Sequence, residues 1–334
     1  MKIEIHHSPT KLNKYFSLLH ELYSTKFGFD FFISDKKKAI EFCFKNNIPV
    51  SFIEISDDDK CIAHIALIEN KQLTINTAFF GFFECANNIK QFQTLWNKLI
   101  SLAKEKGIKK LLGPVDGAIW FQYRINSFFT NEERFASEPI TQNFYKELLE
   151  SINPDKEIIY HSAYRKKFDA IIQITKPSMN KAVELGFEIN HVKNITNELL
   201  VNIYELSLQL FKDNWGYTQI AFKDFLCLYD SNKLSNHIKS IYTVTKNNAL
   251  VGYCANIIHN DTLILKTIGI YPDYQGIGIG NALVYKVHSD AIDTGRIKKV
   301  IYALIKKENK IKHFPSDDIQ VIREYSSYEF NIKN

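Results

Sequence analysis

Arginine is scarce in a chain rich in lysine. Of 42 basic residues only Arg124, Arg134, Arg165, Arg296 and Arg323 are arginines. Proteins that read nucleic acids cluster arginine on one face or interleave it with aromatics. Neither pattern occurs, so no nucleic-acid partner is expected. Cysteine is sparse and odd in number: Cys43, Cys61, Cys85, Cys227 and Cys254 are scattered. None is spaced for a metal or a disulfide framework, and most lie in apolar runs as small buried side chains. No metal is expected. Long apolar runs are missing too. None approaches the roughly 20 residues of a membrane-spanning helix. The opening Met1-Lys2-Ile3-Glu4-Ile5-His6-His7 lacks the apolar stretch of a signal peptide. The expectation is a reduced, soluble, cytoplasmic protein with no membrane association.

What is present is a long chain able to build large cores. At 334 residues with 45% apolar content there is material for two domains. The net charge of +5 makes the surface mildly basic. The runs Lys36-Lys37-Lys38 and Lys306-Lys307 read as solvated surface, and a modest positive potential suits an anionic ligand.

The most informative stretch is Gln275-Gly276-Ile277-Gly278-Ile279-Gly280. Before it, Leu263 to Ile270 is apolar and β-branched, which predicts a strand. Tyr271-Pro272-Asp273-Tyr274 breaks that strand. After it, Asn281 to Ile292 carries Leu283, Val284, Val287 and Ala291 at helical spacing. Glycines permit a tight turn and a close approach of backbone to ligand. Amides at a helix start, aided by the helix dipole, can then converge on a phosphate or pyrophosphate. A dinucleotide fingerprint fits less well. It needs Gly-x-Gly-x-x-Gly directly after the strand, whereas here the glycines fall as Gly-x-Gly-x-Gly beyond a bend.

Gln275, Gly278 and Gly280, in the order strand, bend, loop, helix and next strand (Lys299 to Leu304), resemble the acetyl-CoA loop of the GNAT superfamily of N-acetyltransferases. The resemblance implies acetyl-CoA as co-substrate. Its pyrophosphate would lie on the amides of Gln275, Gly276, Ile277, Gly278, Ile279, Gly280 and Asn281. Its pantetheine arm would lie along the strand end at Ile268 and Ile270. Asn309, after the next strand, matches an asparagine that in the family contacts that arm or shapes the cleft.

Element order extends the resemblance to the whole chain. In the second half Phe187 to Val192 predicts a strand. Asn197 to Lys212 and Phe222 to Tyr229 predict helices, and Ile241 to Thr245 with Leu250 to Ile258 a hairpin around Asn247-Asn248. The first half repeats this order: Ile3 to Ile5, helices over Leu12 to Tyr23 and Lys36 to Phe44, a hairpin of Val50 to Ile55 and Cys61 to Ile68, a strand over Leu73 to Phe83, a helix over Ile89 to Lys106 and a strand at Lys110. Such degenerate repeats show in order more than in residues. Gly81-Phe82-Phe83-Glu84, Gly113-Pro114-Val115, Asn214-Trp215-Gly216-Tyr217 and Arg323-Glu324-Tyr325 resemble uncharacterised bacterial two-copy acetyltransferase-like proteins.

The expected fold class is thus α/β (α+β): two tandem acyl-CoA N-acyltransferase-like domains, each a mixed, mostly antiparallel sheet flanked by helices. Residues 1–172 form a degenerate domain without a glycine loop, and 173–334 an acetyl-CoA-binding domain. In the first copy Phe82 to Asn88 replaces the loop, and Glu84 would repel a pyrophosphate.

The family reaction is direct attack of an amine on the acetyl-CoA thioester. It needs a group to take a proton and a donor for charge developing on the thioester oxygen. The glutamate some members carry early in the strand is absent, since Leu263, Ile264 and Leu265 stand there. Glu308 is the remaining candidate base beside Asp261. The family's Tyr-x-x-x-Gly-Phe context is absent, leaving Tyr325 or Tyr328 as candidate acid. Trp215 with Tyr217 sits between the two helices that in the family form the acceptor wall, and Trp120, Tyr123 and Arg124 of the first copy would approach the same cleft if the copies pack face to face. The expected activity is N-acetyl transfer to a small-molecule or amine acceptor. The alternatives are a non-catalytic acyl-CoA-binding or regulatory protein, and an aminoacyl-tRNA-dependent transferase. Weak arginine content and the retained loop speak against the last.

Overall fold

The structure is a computed structural model that describes residues 1–135, 137–229, 238–307 and 319–333. The first half runs β1 (Lys2–His6), α1 (Asn13–Tyr23), α2 (Phe29–Lys45), β2 (Val50–Asp57), β3 (Lys60–Ile68), β4 (Thr77–Cys85), α3 (Ile89–Glu105), β5 (Lys110–Gly113), β6 (Ile125–Phe129), α4 (Tyr145–Glu150) and β7 (Lys156–Arg165). The second half runs α5 (Asp169–Glu184), β8 (Phe187–Val192), α6 (Asn197–Phe211), α7 (Phe222–Tyr229), β9 (Ile238–Lys246), β10 (Ala249–His259), β11 (Thr262–Ile270), α8 (Ile279–Asp293), β12 (Lys299–Lys306) and β13 (Gln320–Asn331).

Elements with a clear apolar period lie where the sequence places them. α3 buries Phe92, Leu95, Trp96, Leu99, Leu102 and Ala103, one stripe at helical spacing. Two boundaries move. α2 begins at Phe29 instead of Lys36, after Gly28 in the left-handed region. β4 begins at Thr77 instead of Leu73, because Leu73 and Thr77 close turns onto Asn70 and Thr74. The elements α4, α5, β6, β7 and β13 are not predicted by the sequence pattern. α5 carries Pro177 inside it, a residue that normally argues against a helix. β13 is half polar, with Arg323, Glu324, Ser326, Ser327 and Glu329 among its residues.

All pairings are antiparallel except β4 with β5 and β11 with β12, the equivalent step of each half. In space the strands run β1-β2-β3-β4-β5-β13-β7-β12-β11-β10-β9-β8, with β6 on β13. The two halves therefore exchange strands. β13, from the C-terminal end, sets Tyr328 against Gly113 and Phe330 against Leu111 of β5. β7, from the first half, sets Arg165 against Val300 and Ala163 against Tyr302 of β12. β7 and β13 then pair with each other, Tyr160 facing Tyr325.

Burial follows this plan. One core lies under α3 and α4 in the first half and takes Tyr328 and Phe330 from β13. Another lies under α5 and α8 in the second. A third is shared: Phe32, Phe42, Phe79 and Phe82 of the first half pack with Ile203, Leu206, Phe225 and Tyr253 of the second. No helix among the described residues is long and apolar enough to cross a membrane.

Candidate acyl-CoA site

Two strands that begin as neighbours and then part define the site. β11 and β12 pair in parallel only from Thr262–Lys299 to Leu265–Tyr302. Beyond that point β11 continues to Ile270, held on its other side by β10. β12 bends away, with Leu304 at φ 59 and its register on β7 shifted between Tyr302 and Ile305. β11 also bulges there: Ala255 faces Thr267 and Asn256 faces Leu265, leaving Lys266 as the extra residue. Such bulges re-aim a side chain and leave a backbone position out of the ladder.

The loop after β11 is built to present backbone. Tyr274 and Gln275 close a turn through amide bonds to Tyr271 and Pro272 carbonyls. Gln275 folds back, its Nε2 donating to the Ile270 carbonyl at 2.8 Å. Gly276 and Gly278 lie at φ 79 and 99, where a Cβ is strained. A side chain at Gly278 would also meet Ser178 Oγ at 3.3 Å. Gly280 is an ordinary helical residue with only Ile270 Cγ1 nearby, at 3.9 Å. α8 then starts with Gly278 as a cap that offers no side-chain acceptor, and its first turn has no acidic residue. Its leading amides are left for a ligand. The Lys246 ammonium stands 5.6 Å from the Tyr274 ring beside the loop. The side chains of Ile268, Ile270 and Ile279 face the core under α8, so what these residues offer a ligand is their backbone. Ile277 and Asn281 are exposed.

The matching place in the first half is closed by its own chain. β4 and β5 part after Phe79–Leu112, and β4 bulges at Phe82, φ 46. There the Phe82 amide donates to Asp116 Oδ1 at 2.6 Å and the Val115 amide to the Phe80 carbonyl at 2.8 Å. A Cβ at Gly81 would sit 2.0 Å from the Val115 carbonyl oxygen. α3 is capped by Asn88, whose side chain accepts from Lys90 and Gln91 amides at 3.1 and 3.2 Å. Glu84 is buried, takes hydroxyl bonds from Tyr23 and Tyr145, and lies 3.7 Å from the Lys36 ammonium. Burial pushes its carboxyl up to about 7, against the pull of Lys36. Lys36 in turn donates to Asp116 at 2.6 Å.

The halves meet where β12 bends, and of the residues singled out for an acceptor cleft Tyr123, Arg124 and Trp215 are there, while Trp120 packs on Phe211, Tyr217 and Phe225. Trp120 Nε1 donates to the Thr218 carbonyl at 2.8 Å. Trp215 stacks on Tyr123 at 6.5 Å and donates to Glu329 at 2.9 Å. The Arg124 guanidinium lies 3.8 Å from the Tyr123 ring centroid and 4.1 Å from that of Tyr160. It donates to the Leu304 carbonyl, where β12 bends, at 3.3 Å. Tyr325, expected as the acid, is fully buried and donates its hydroxyl to Glu138 at 3.1 Å. Burial first, and Glu138 next, hold it well above the ordinary tyrosine range. It supports the wall of the cleft and does not open onto it. Tyr328 is likewise fully buried, in the core under α3. Glu308 and Asn309 lie outside the described residues. Asp261 is in a turn, its carbonyl accepting from the amides of Lys298 and Lys299.

Two further charged residues are ones that the sequence does not single out. Lys266 is the extra, exposed residue of the β11 bulge, and Asp35, on α2 of the other half, is the strongest opposite charge acting on it. A charged residue interrupting the apolar run Leu263 to Ile270 is a readable signal for Lys266. Asp35, beside a lysine run, carries none.

Residues 200–313 match the acetyltransferase (GNAT) family. No curated protein matches the chain. Among solved structures, a tandem GNAT protein from the clavulanic acid biosynthesis pathway aligns over 100% of this chain and 99% of its own, with TM-score 0.58 at 8% identity. A GCN5-related N-acetyltransferase from Anabaena variabilis aligns over 99% of this chain and 73% of its own, with TM-score 0.61 at 11% identity. A probable N-acyltransferase from Enterococcus faecalis covers 98% and 72%, with TM-score 0.56 at 9% identity. Residues 200–313 thus carry a domain of the acetyltransferase (GNAT) family, and the chain as a whole has the fold of a tandem GNAT protein.

Proposed function

We propose that this chain is an N-acetyltransferase that uses acetyl-CoA and a small amine acceptor. The cofactor site lies in the second half, and the first half serves as a wall of the acceptor cleft. The observation that carries this reading is the contrast between two equivalent places. In the second half the strands part freely and α8 starts uncapped behind two left-handed glycines. In the first half the same opening is filled by Val115 and Asp116, and α3 is capped by Asn88.

The residues present fit the group. Gly276 to Asn281 supply converging amides and the positive end of the α8 dipole for a pyrophosphate. The free edge of β11 from Thr267 to Ile270 supplies backbone partners for the pantetheine amides. Acetyl-CoA, when bound, supplies an acyl group activated as a thioester. The backbone at the Lys266 bulge supplies the amide for charge developing on the thioester oxygen. The aromatic wall of Tyr123 and Trp215 excludes water from that point and shapes the space for the acceptor.

The test is acetyl-CoA binding by calorimetry to the wild type and to Gly278→Glu. A glutamate there places a negative side chain against the loop amides and Ser178. Wild-type binding that is lost in the variant supports the reading. A wild type that does not bind acetyl-CoA overturns it. Binding without transfer to any amine would instead favour an acyl-CoA-binding regulator.

A further inference from the structure

We propose that Gln72 and Trp120 of the first half are positioning residues. They hold the strap between α6 and α7, residues 212–221, in its working shape, and through it set how tightly the amine acceptor binds. This rests on the acetyltransferase reading above, and assigns control of that site to two side chains of the half without a glycine loop.

The strap starts at the candidate cofactor strand and ends on the other half. α6 closes over β11, where a Cβ at Gly269 would sit 2.2 Å from Leu210 Cδ1. Trp215 then joins Tyr160, Tyr123 and Leu304 in one cluster at the bend of β12. Gly216, at φ 65, lies against the first half: a Cβ there would meet Phe79 Cε1 at 3.3 Å and Ile119 Cγ2 at 3.4 Å. The head of the strap is closed by its own chain, the Asn214 amide on the Phe211 carbonyl and the Tyr217 amide on the Asn214 carbonyl. Past Tyr217 this changes. The carbonyls of Thr218, Gln219 and Ile220 each accept from a side chain: Trp120 Nε1 at 2.8 Å, Gln72 Nε2 at 2.9 Å and the Tyr204 hydroxyl at 2.8 Å. The first two of these donors belong to the first half.

Backbone groups outside helices and strands still need partners, and the partners they find fix the path of the chain. Gln72 is suited to this, because a side-chain amide offers a donor and an acceptor side by side. Its Nε2 donates to the Gln219 carbonyl, and its Oε1 accepts from the Gln219 amide at 2.7 Å. It thereby copies the two bonds that an antiparallel strand neighbour exchanges with one residue. Its own loop is braced, since the Gln72 amide donates to Asn70 Oδ1 at 3.0 Å. Trp120 adds a ring that packs on Phe211 at the end of α6, on Tyr217 in the strap and on Phe225 in α7. Gln72 and Gln219 are both exposed, so water competes for their bonds and the pair adds little to global stability. What it adds is a single path for the strap, and so a single position for Trp215. A strap free to take other paths would leave fewer molecules ready for the acceptor. Apparent affinity then falls by that fraction, while the rate at saturation is kept.

The experiment compares the wild-type chain with Gln72→Ala, Gln72→Glu and Trp120→Phe. Hydrogen exchange is followed over residues 215–221. Acetyl-CoA binding is followed by calorimetry, and transfer by thiol release over a panel of primary amines. In Gln72→Ala the Gln219 amide should exchange faster, and KM for the best acceptor should rise about tenfold, near the worth of one net hydrogen bond. Its kcat, acetyl-CoA affinity and melting temperature should be unchanged, which separates the shape of the strap from the stability of the fold. Gln72→Glu keeps the acceptor for the Gln219 amide and loses the donor, so it should fall between the two. Trp120→Phe keeps a ring and loses the indole N–H, and should move KM in the same direction. Unchanged exchange in Gln72→Ala would overturn the proposal. So would faster exchange with the acceptor KM unmoved, or a fall in kcat with KM held. A wild type that binds no acetyl-CoA, or acetylates no amine, would instead mark the failure of the acetyltransferase reading and of the acceptor role with it; the exchange result would still decide whether Gln72 holds the strap.

Discussion

At the scale of single residues, the informative positions are those where a side chain is held against its ordinary chemistry. His288 is fully buried between Val284 and Tyr302. A carbonyl can only accept, so Nδ1 carries the proton toward Val284 at 2.8 Å, and Nε2 accepts from the Tyr302 hydroxyl at 2.8 Å. Desolvation holds the ring down to about 4 from 6.5, with Arg165 adding to it. A depressed histidine favours the neutral folded form. Its contribution is therefore complete above pH 6.5 and is lost as the pH falls from 6.5 toward 4. Over that window His288→Phe should flatten the loss of stability by about 3 kcal/mol. Denaturant unfolding of both proteins at pH 4.5 and 7 checks this. An unchanged difference between the two pH values would show that the ring is not the cause. Asp35 and Glu84 act in the opposite sense, because their raised carboxyls favour the protonated folded form. Their contributions are lost as the pH rises through about 6 and about 7.

At the scale of elements, α3 and α8 are the same helix put to different uses. α3 has its own cap in Asn88 and so does not need an anion. Asn88→Ala should cost about 1 kcal/mol in unfolding free energy and leave acetyl-CoA affinity unaltered. A loss of acetyl-CoA binding in that variant would move the cofactor to the first half. α8 has no cap, and its stability should instead rise with added ligand, as for any group that binds only the folded state. Much of this was readable in advance. The run Leu263 to Ile270, the bend at Pro272 and the apolar stripe of α8 mark strand, break and helix in order. Gly276 and Gly278 take the conformations that only glycine takes easily, whereas Gly280 does not. β13 could not be read, because a strand rich in Ser, Glu and Arg matches neither a surface nor a core pattern. Some of its polar groups find partners only far away in sequence: Ser326 Oγ donates to Glu157 of β7 at 2.5 Å and the Tyr325 hydroxyl to Glu138. α5 was hidden by Pro177 for a similar reason, since its packing on α8 overrides the local cost.

At the scale of the whole molecule, the exchange of β7 and β13 joins the halves into one sheet. A chain cut at 172/173 would leave the first half without β13, which pairs with β5, β6 and β7, and the second without β7, which pairs with β12 and β13. The shared core would also lose one side. The intact protein should unfold in one transition by both circular dichroism and fluorescence. Residues 1–172 expressed alone should show no cooperative melt. A fragment that folds and melts on its own would show that β13 is dispensable to the first half.

The sequence by itself determined the order of the elements the two halves share, the glycine loop proposed for a pyrophosphate and the absence of that loop from the first copy. These depend on local periods and on glycine's freedom at positive φ, which act within a few residues. Only the tertiary structure decided that Asp116 closes the first opening and that Tyr325 is a packed support. Each of these depends on pairs far apart in the chain, brought together by strand exchange and shared burial, which no local pattern encodes.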